Sequence, residues 1–153
     1  MLRRQRLILI KFLLVILFTA LAVFAMINFR DWVNRSEAIT AMEDLSRNIK
    51  EYRQKVGHVP SEEHVKSILP NLRGHARLGK LIYRGIWIDI NSGEDQILAY
   101  SAKKSSSFMF SDGYVVLTLD GTVEWIEKET FETKLLQHQS QIEIQTLKSL
   151  EPK

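Results

Sequence analysis

The side chains best suited to chemistry fall in one short stretch. Asp89, Asn91, Glu94 and Asp95 place oxygen ligands within a single turn, the hard-donor type that calcium prefers. The spacing Asp89-x-Asn91-x-Gly93 lacks both the EF-hand register and its closing glutamate, so an ordinary solvated turn is the first reading. Calcium is the one cofactor the sequence nominates. His58, His64, His75 and His138 show no metal-ligand spacing and read as surface residues. Ser105, Ser106 and Ser107 lie in no nucleophile elbow, and the chain has neither a Gly-x-Gly-x-x-Gly nor a phosphate loop. With no cysteine, a disulfide framework, a thiolate metal site and a cysteine nucleophile are excluded together. We therefore expect no catalytic residue, no small-molecule substrate and no enzyme.

The segment that positions everything else is apolar. From Leu7 through Phe12, Leu17 and Leu21 to Phe29 the run is almost unbroken, with Lys11 its one charged interruption. About 20 apolar residues suffice to cross a ~30 Å hydrocarbon core as a helix. Arg3, Arg4, Arg6 and Lys11 precede or enter the run, and no acid occurs before Asp31, a bias that predicts a cytoplasmic amino terminus. Ala20-Leu21-Ala22 also suits a cleaved signal peptide, but the run continues through Val23, Phe24, Met26 and Ile27, so we expect an uncleaved anchor. The expected location is the inner membrane, single-pass, with the remainder periplasmic or otherwise extracytoplasmic. Of 21 basic residues four belong to this segment, leaving 17 against 18 acidic ones, so the net charge of +3 reports topology and gives no reason to expect nucleic acid.

Asn28 to Val56 holds no glycine or proline and predicts a continuous stem helix. Ile39, Met42, Leu45, Ile49, Tyr52 and Val56 share one face, and Glu37, Arg47, Lys50 and Arg53 the opposite one. The stripe is expected to pack on its own domain. Its membrane-proximal part, Trp32, Ile39 and Met42, is the candidate contact for neighbouring helices. Gly57 and Pro60 end the helix, and Ser61 caps a short second one stopped by Pro70. Asn71 to Gly79 reads as a polar connection whose Arg73, His75 and Arg77, with Lys80, form a basic stretch, most simply solvated. Ile82, Arg84, Ile86, Ile88 and Ile90 predict a strand, followed by strands Ile97–Ser101, Tyr114–Leu119 and Thr122–Trp125. Asp120-Gly121 is expected as a type I′ hairpin turn. Trp87, Tyr100, Tyr114 and Trp125 should divide between core and surface. Phe131, Leu135 and Leu136 dock a terminal helix, and Gln137 to Lys153 is expected to fray.

The expected organisation is residues 1–29 as basic tip and transmembrane helix, 30–57 as stem, 58–127 as the α+β globular part, and 128–153 as terminal helix and tail. The order of anchor, stem helix, Tyr52-x4-Gly57-x2-Pro60 and a sheet with Asp112-Gly113 and Asp120-Gly121 resembles the type IV pilin and type II secretion pseudopilin superfamily. Ile97-Leu98-Ala99-Tyr100-Ser101 and Val116-Leu117-x-Leu119-Asp120-Gly121-x-Val123-Glu124-Trp125 carry that resemblance, as does Phe131-Glu132-x-x-Leu135-Leu136. It implies an α+β fold with the stem packed on a small antiparallel sheet. As partners it implies the membrane and other pilin-like subunits or secretion-system components. Family precursors carry a leader ending in glycine and assembling subunits a glutamate early in the mature helix; here the first glycine is Gly57 and the first acid Asp31. The resemblance thus implies the fold more than it implies filament incorporation.

Overall fold

The computed structural model describes residues 3–88, 92–106, 111–140 and 142–145, with side chains from Gln5 onward. The first helix, α1 (Arg3–Val56), runs unbroken for 54 residues through the apolar segment and the stem. Its two halves differ in what covers them. Every large apolar side chain from Leu7 to Phe29 is between 36% and 74% exposed, whereas Ala38, Ala41, Met42, Leu45 and Ile49 are buried. The alanines at 38 and 41 let the sheet approach closely, and Met42 and Leu45 fill the space beyond them. Gly57 ends the helix as expected, with φ +87° and its N–H donating to the Arg53 carbonyl at 2.8 Å.

Helix α2 (Glu62–Ile68) follows, capped by the Ser61 hydroxyl accepting from the His64 N–H at 3.3 Å. Pro70 ends its α-helical hydrogen bonding, and a 3₁₀ turn, Leu69–Asn71, continues the chain. The expected loop at 71–79 contains one more helical turn, α3 (His75–Leu78), because Leu72 and Leu78 are drawn into the core beside α1.

Four strands form an antiparallel meander in the order β1-β2-β3-β4. They are β1 (Leu81–Tyr83), β2 (Ile97–Lys103), β3 (Gly113–Thr118) and β4 (Val123–Glu127). The first is much shorter than its alternating isoleucines suggest. The Tyr83 ring occupies the place a Cβ on Gly85 would take, and the chain leaves the sheet through a 3₁₀ turn, Gly85–Trp87. Ile86 is accordingly exposed.

The α1 face of the sheet presents Leu98, Ala99, Val115, Leu117 and Leu119 to the stem. The other face presents Ile97, Tyr100, Val116 and Ile126 to Phe131 of α4 (Lys128–His138). A register shift between Ile97 and Ala99 explains how Ile97 and Tyr100 reach the same face. Phe131 stacks on Tyr114 at 3.9 Å and meets Tyr100 at 4.9 Å, so these tyrosines build the second core. Leu136 does not join it and is exposed. The architecture is therefore α+β, with a long helix on one sheet face and a short one on the other.

Two sequence expectations fail here. Among the described residues no non-glycine has positive φ, so Asp120-Gly121 is not a type I′ turn. Gly121 alone takes φ +87°, and Thr118 pairs with Thr122 across a three-residue loop, the arrangement of a type I turn closed by a left-handed glycine. The expected fraying of the polar tail also fails at the described residues 142–145, which form a helical turn, while residues 146–153 lie outside the described residues. Glu143 is buried against Arg84, itself only 2% exposed.

Candidate functional site where the apolar helix meets the domain

The exposed half of α1 is long and apolar enough to cross a membrane. Its two polar side chains beyond Lys11 are satisfied within the helix. Thr19 donates to the Val15 carbonyl at 2.8 Å and Asn28 to that of Phe24 at 2.9 Å. That is the arrangement required where no water is available to take those groups. Phe29 and Trp32 follow with ring centroids 5.9 Å apart, and Trp32 remains 55% exposed.

Immediately past this apolar stretch the domain is fastened to the helix. Asp31 is nearly buried, and its carboxylate accepts from the Ser105 hydroxyl at 3.0 Å and the Ser106 N–H at 2.8 Å. One turn on, the Arg35 guanidinium lies 4.3 Å above the Trp125 ring. Asp31, Asn34 and Arg35 from α1 thus meet Lys103, Lys104, Ser105, Ser111 and Trp125 around one small cavity. Its chemistry is that of a polar joint, in which a helix carboxylate takes up the hydroxyl and N–H of a loop.

The candidate contact residues separate. Trp32 and Ile39 line an open groove with Arg35, Ser36, Thr40 and Glu43. Met42 faces away from it and is fully buried in its own core, so it is withdrawn as an intermolecular contact. Ile39 is half-buried against that same core.

The basic stretch is divided as well. Arg73 forks onto Asp44 with contacts of 3.1 and 3.3 Å, and its hydrogen bond holds the Asp44 carboxyl below the usual carboxylate range. Arg77 pairs with Glu37 at 3.2 Å. Both cations staple the α3 region to the stem.

Of the calcium candidates, Asp89 and Asn91 lie outside the described residues. Glu94 and Asp95 are exposed, and Asp95 lies 4.0 Å from the His138 ring. No metal-holding group of acids and histidines occurs among the described residues. His64 packs on Tyr52 at 4.8 Å, and His58 and His75 each meet a nearby backbone carbonyl. Ser107 lies outside the described residues.

Two hairpin residues turn out to anchor the far end of the stem. The Asp120 carboxyl accepts from the Thr118 hydroxyl, the Thr122 N–H and the Thr122 hydroxyl, and these bonds lower its pKa to about 2. Beside it, Ser46 donates to the Gly121 carbonyl at 2.7 Å and Arg53 to that of Leu119 at 2.7 Å.

Sequence reasoning missed the Asp31 joint and the Arg84–Glu143 pair. Asp31 did carry a signal, being the first acid after the apolar run. Comparison with protein-family models, curated proteins and solved structures found no match to this chain.

Proposed function

We propose that this protein is a membrane-anchored, pilin-like structural or accessory component of a secretion or pilus-type envelope assembly. Its amino terminus lies in the cytoplasm, α1 crosses the inner membrane, and the domain lies beyond it in the periplasm. The role is structural, not catalytic, and its partners are other pilin-like subunits or secretion-system components. The observation that carries this reading is one unbroken helix whose first half is apolar and uncovered while its second half is the core of a small antiparallel domain. Such a helix transmits position rigidly from bilayer to domain. In the bilayer it associates with neighbours by van der Waals packing, through surface supplied by Leu13, Leu14, Leu17, Leu21 and Ala25. Exposed Trp32 and half-buried Ile39 continue that surface outside the apolar stretch.

A second reading is a tethered binding or sensing module that joins no filament. It is favoured by the burial of Met42, Leu45 and Ile49 within the domain, which leaves little of the stem stripe for partners. The lack of any acid before Asp31 points the same way.

Two measurements on native membranes decide between them. The first is the intact mass: loss of about eleven residues indicates pilin-type processing, and a full-length mass favours the tethered module. Cleavage near Ala22 would release the domain and remove the anchor from the reading. The second is a photo-cross-linker at Trp32 or Ser36. We expect adducts with pilin-like subunits; a protein that stays monomeric at both positions would sink the assembly role.

A further inference from the structure

The joint around Asp31 also gathers four cations, of which Arg35, Lys103 and Lys104 make no ion pair with a described residue. Arg30 is 59% exposed and lies 3.8 Å from Asp31, whose carboxylate is already engaged by Ser105 and Ser106. Lys104 is exposed, and Arg35 spends its guanidinium face on Trp125, which leaves its N–H edge for an anion. Lys103 makes no ion pair with a described residue. Burial, and then the charge of Arg77, lower its pKa, so its ammonium sits where a negative charge would be stabilising. The nearby Asp112 and Glu127 pair with no cation among the described residues. Asp112 accepts the Ser105 N–H at 2.8 Å, and Glu127 the Ser111 hydroxyl at 3.1 Å.

Position matters as much as charge. At 1.5 Å per residue, Arg30 and Arg35 lie about 1.5 and 9 Å along the helix beyond Phe29. The headgroup layer on each side of a bilayer is roughly 5–8 Å thick, so the Arg30 backbone lies within it and that of Arg35 just beyond, within reach of a long side chain. Through the Asp31 hydrogen bonds, Lys103 and Lys104 are held beside that same stretch. By contrast Arg73 and Arg77, the cations prominent in the sequence, are neutralised on the stem by Asp44 and Glu37.

We propose that the membrane-facing end of the domain binds anionic phospholipid headgroups through Arg30, Arg35, Lys103 and Lys104. The inference rests on α1 being a membrane anchor. The domain then has a second hold on the bilayer and rests against it in a fixed orientation. Lys103 and Lys104 on the sheet side and Arg30 and Arg35 on the helix side grip phosphates on one flank of α1.

The test uses the full-length chain, whose lack of cysteine lets a single Ser106→Cys carry a fluorophore. The protein is reconstituted in phosphatidylcholine nanodiscs with or without phosphatidylglycerol, and quenching by a headgroup-bound quencher is read. We expect about threefold stronger quenching with the anionic lipid, weakened by high salt. That gain should be reduced in Lys104→Gln and lost in the variant with all four cations changed to Gln. Equal quenching in both lipids, or an unaltered gain in the four-site variant, overturns the proposal. Since Lys104 is exposed, its single variant keeps the test valid even if the four-site variant fails to fold. If inorganic phosphate at about 10 mM abolishes the gain at constant ionic strength, the site takes free anions and the lipid assignment falls. Insertion is scored separately, by protease protection. A protein that does not span the disc overturns the anchor reading itself, a result distinct from a spanning protein indifferent to lipid charge.

Discussion

Arg84 ties together four separate parts of the described chain. Its guanidinium donates to both Glu143 oxygens at 2.6 and 2.8 Å, to the Ile97 carbonyl at 2.5 Å and to the His138 carbonyl at 2.9 Å. It thereby joins the end of β1, the start of β2, the end of α4 and the turn beyond it. Removing one partner of a buried pair leaves a charge without compensation and typically costs about 3–5 kcal/mol. Glu143→Ala should therefore destabilise by about 3 kcal/mol and expose the chain after His138 to protease. The double change Arg84→Met with Glu143→Leu should cost less than either single one. Urea melts of the four proteins check this, and additive losses would refute the coupling. The pair was not legible beforehand for a specific reason. Arg84 falls on the same side as Ile82 and Ile86, as a residue of one strand face would, and its partner lies 59 residues away in a polar tail with no pattern of its own.

Among the elements, those specified by local stereochemistry were legible and those specified by distant packing were not. Gly57 with Pro60 ended α1, and Ser61 opened α2, because caps act within one turn. The stem stripe read correctly through Met42, Leu45 and Ile49, since a face covered by a sheet must be apolar at helical spacing. β1 and α3 were misjudged because Tyr83 against Gly85, and Leu72 with Leu78 against the stem, are tertiary facts. The β3–β4 hairpin was legible in place but not in type. There Asp120 accepts three hydrogen bonds that hold its pKa near 2, below the ordinary carboxylate value of 3.8. A depressed folded pKa contributes stability that is complete above the unfolded value and is lost as pH falls through the folded one. The protein should thus lose melting temperature between about pH 4 and pH 2, and Asp120→Asn should flatten that fall. Some slope should persist in the variant, because Arg73 holds Asp44 low as well. Identical pH profiles for the two proteins would show that the hairpin bonds do not form in solution.

At the scale of the whole molecule, α1 is one helix but two energetic objects. The apolar residues from Leu7 to Phe29 are exposed and touch no core, so they contribute almost nothing to the stability of the domain and are free for the membrane insertion proposed above. The residues from Asp31 onward are different. Asp31 fastens the Ser105–Ser106 loop, and Ala38, Ala41, Met42 and Leu45 form the floor on which the sheet is laid. A chain of residues 30–153 should therefore fold alone, monomeric and without detergent, melting within about 4 °C of the full-length protein in micelles. A chain starting at residue 46 should not fold at all. It lacks Met42 and Leu45, either of which costs about 2–5 kcal/mol when truncated to alanine in a packed core. Together they remove about 4–10 kcal/mol, comparable to the whole stability of roughly 5–15 kcal/mol, and the fragment also loses Ala38, Ala41 and the Asp31 joint. Circular dichroism melts of the two fragments decide the matter. If the 30–153 chain is unfolded, the apolar half supplies structure to the domain, and the division of α1 after Phe29 is wrong.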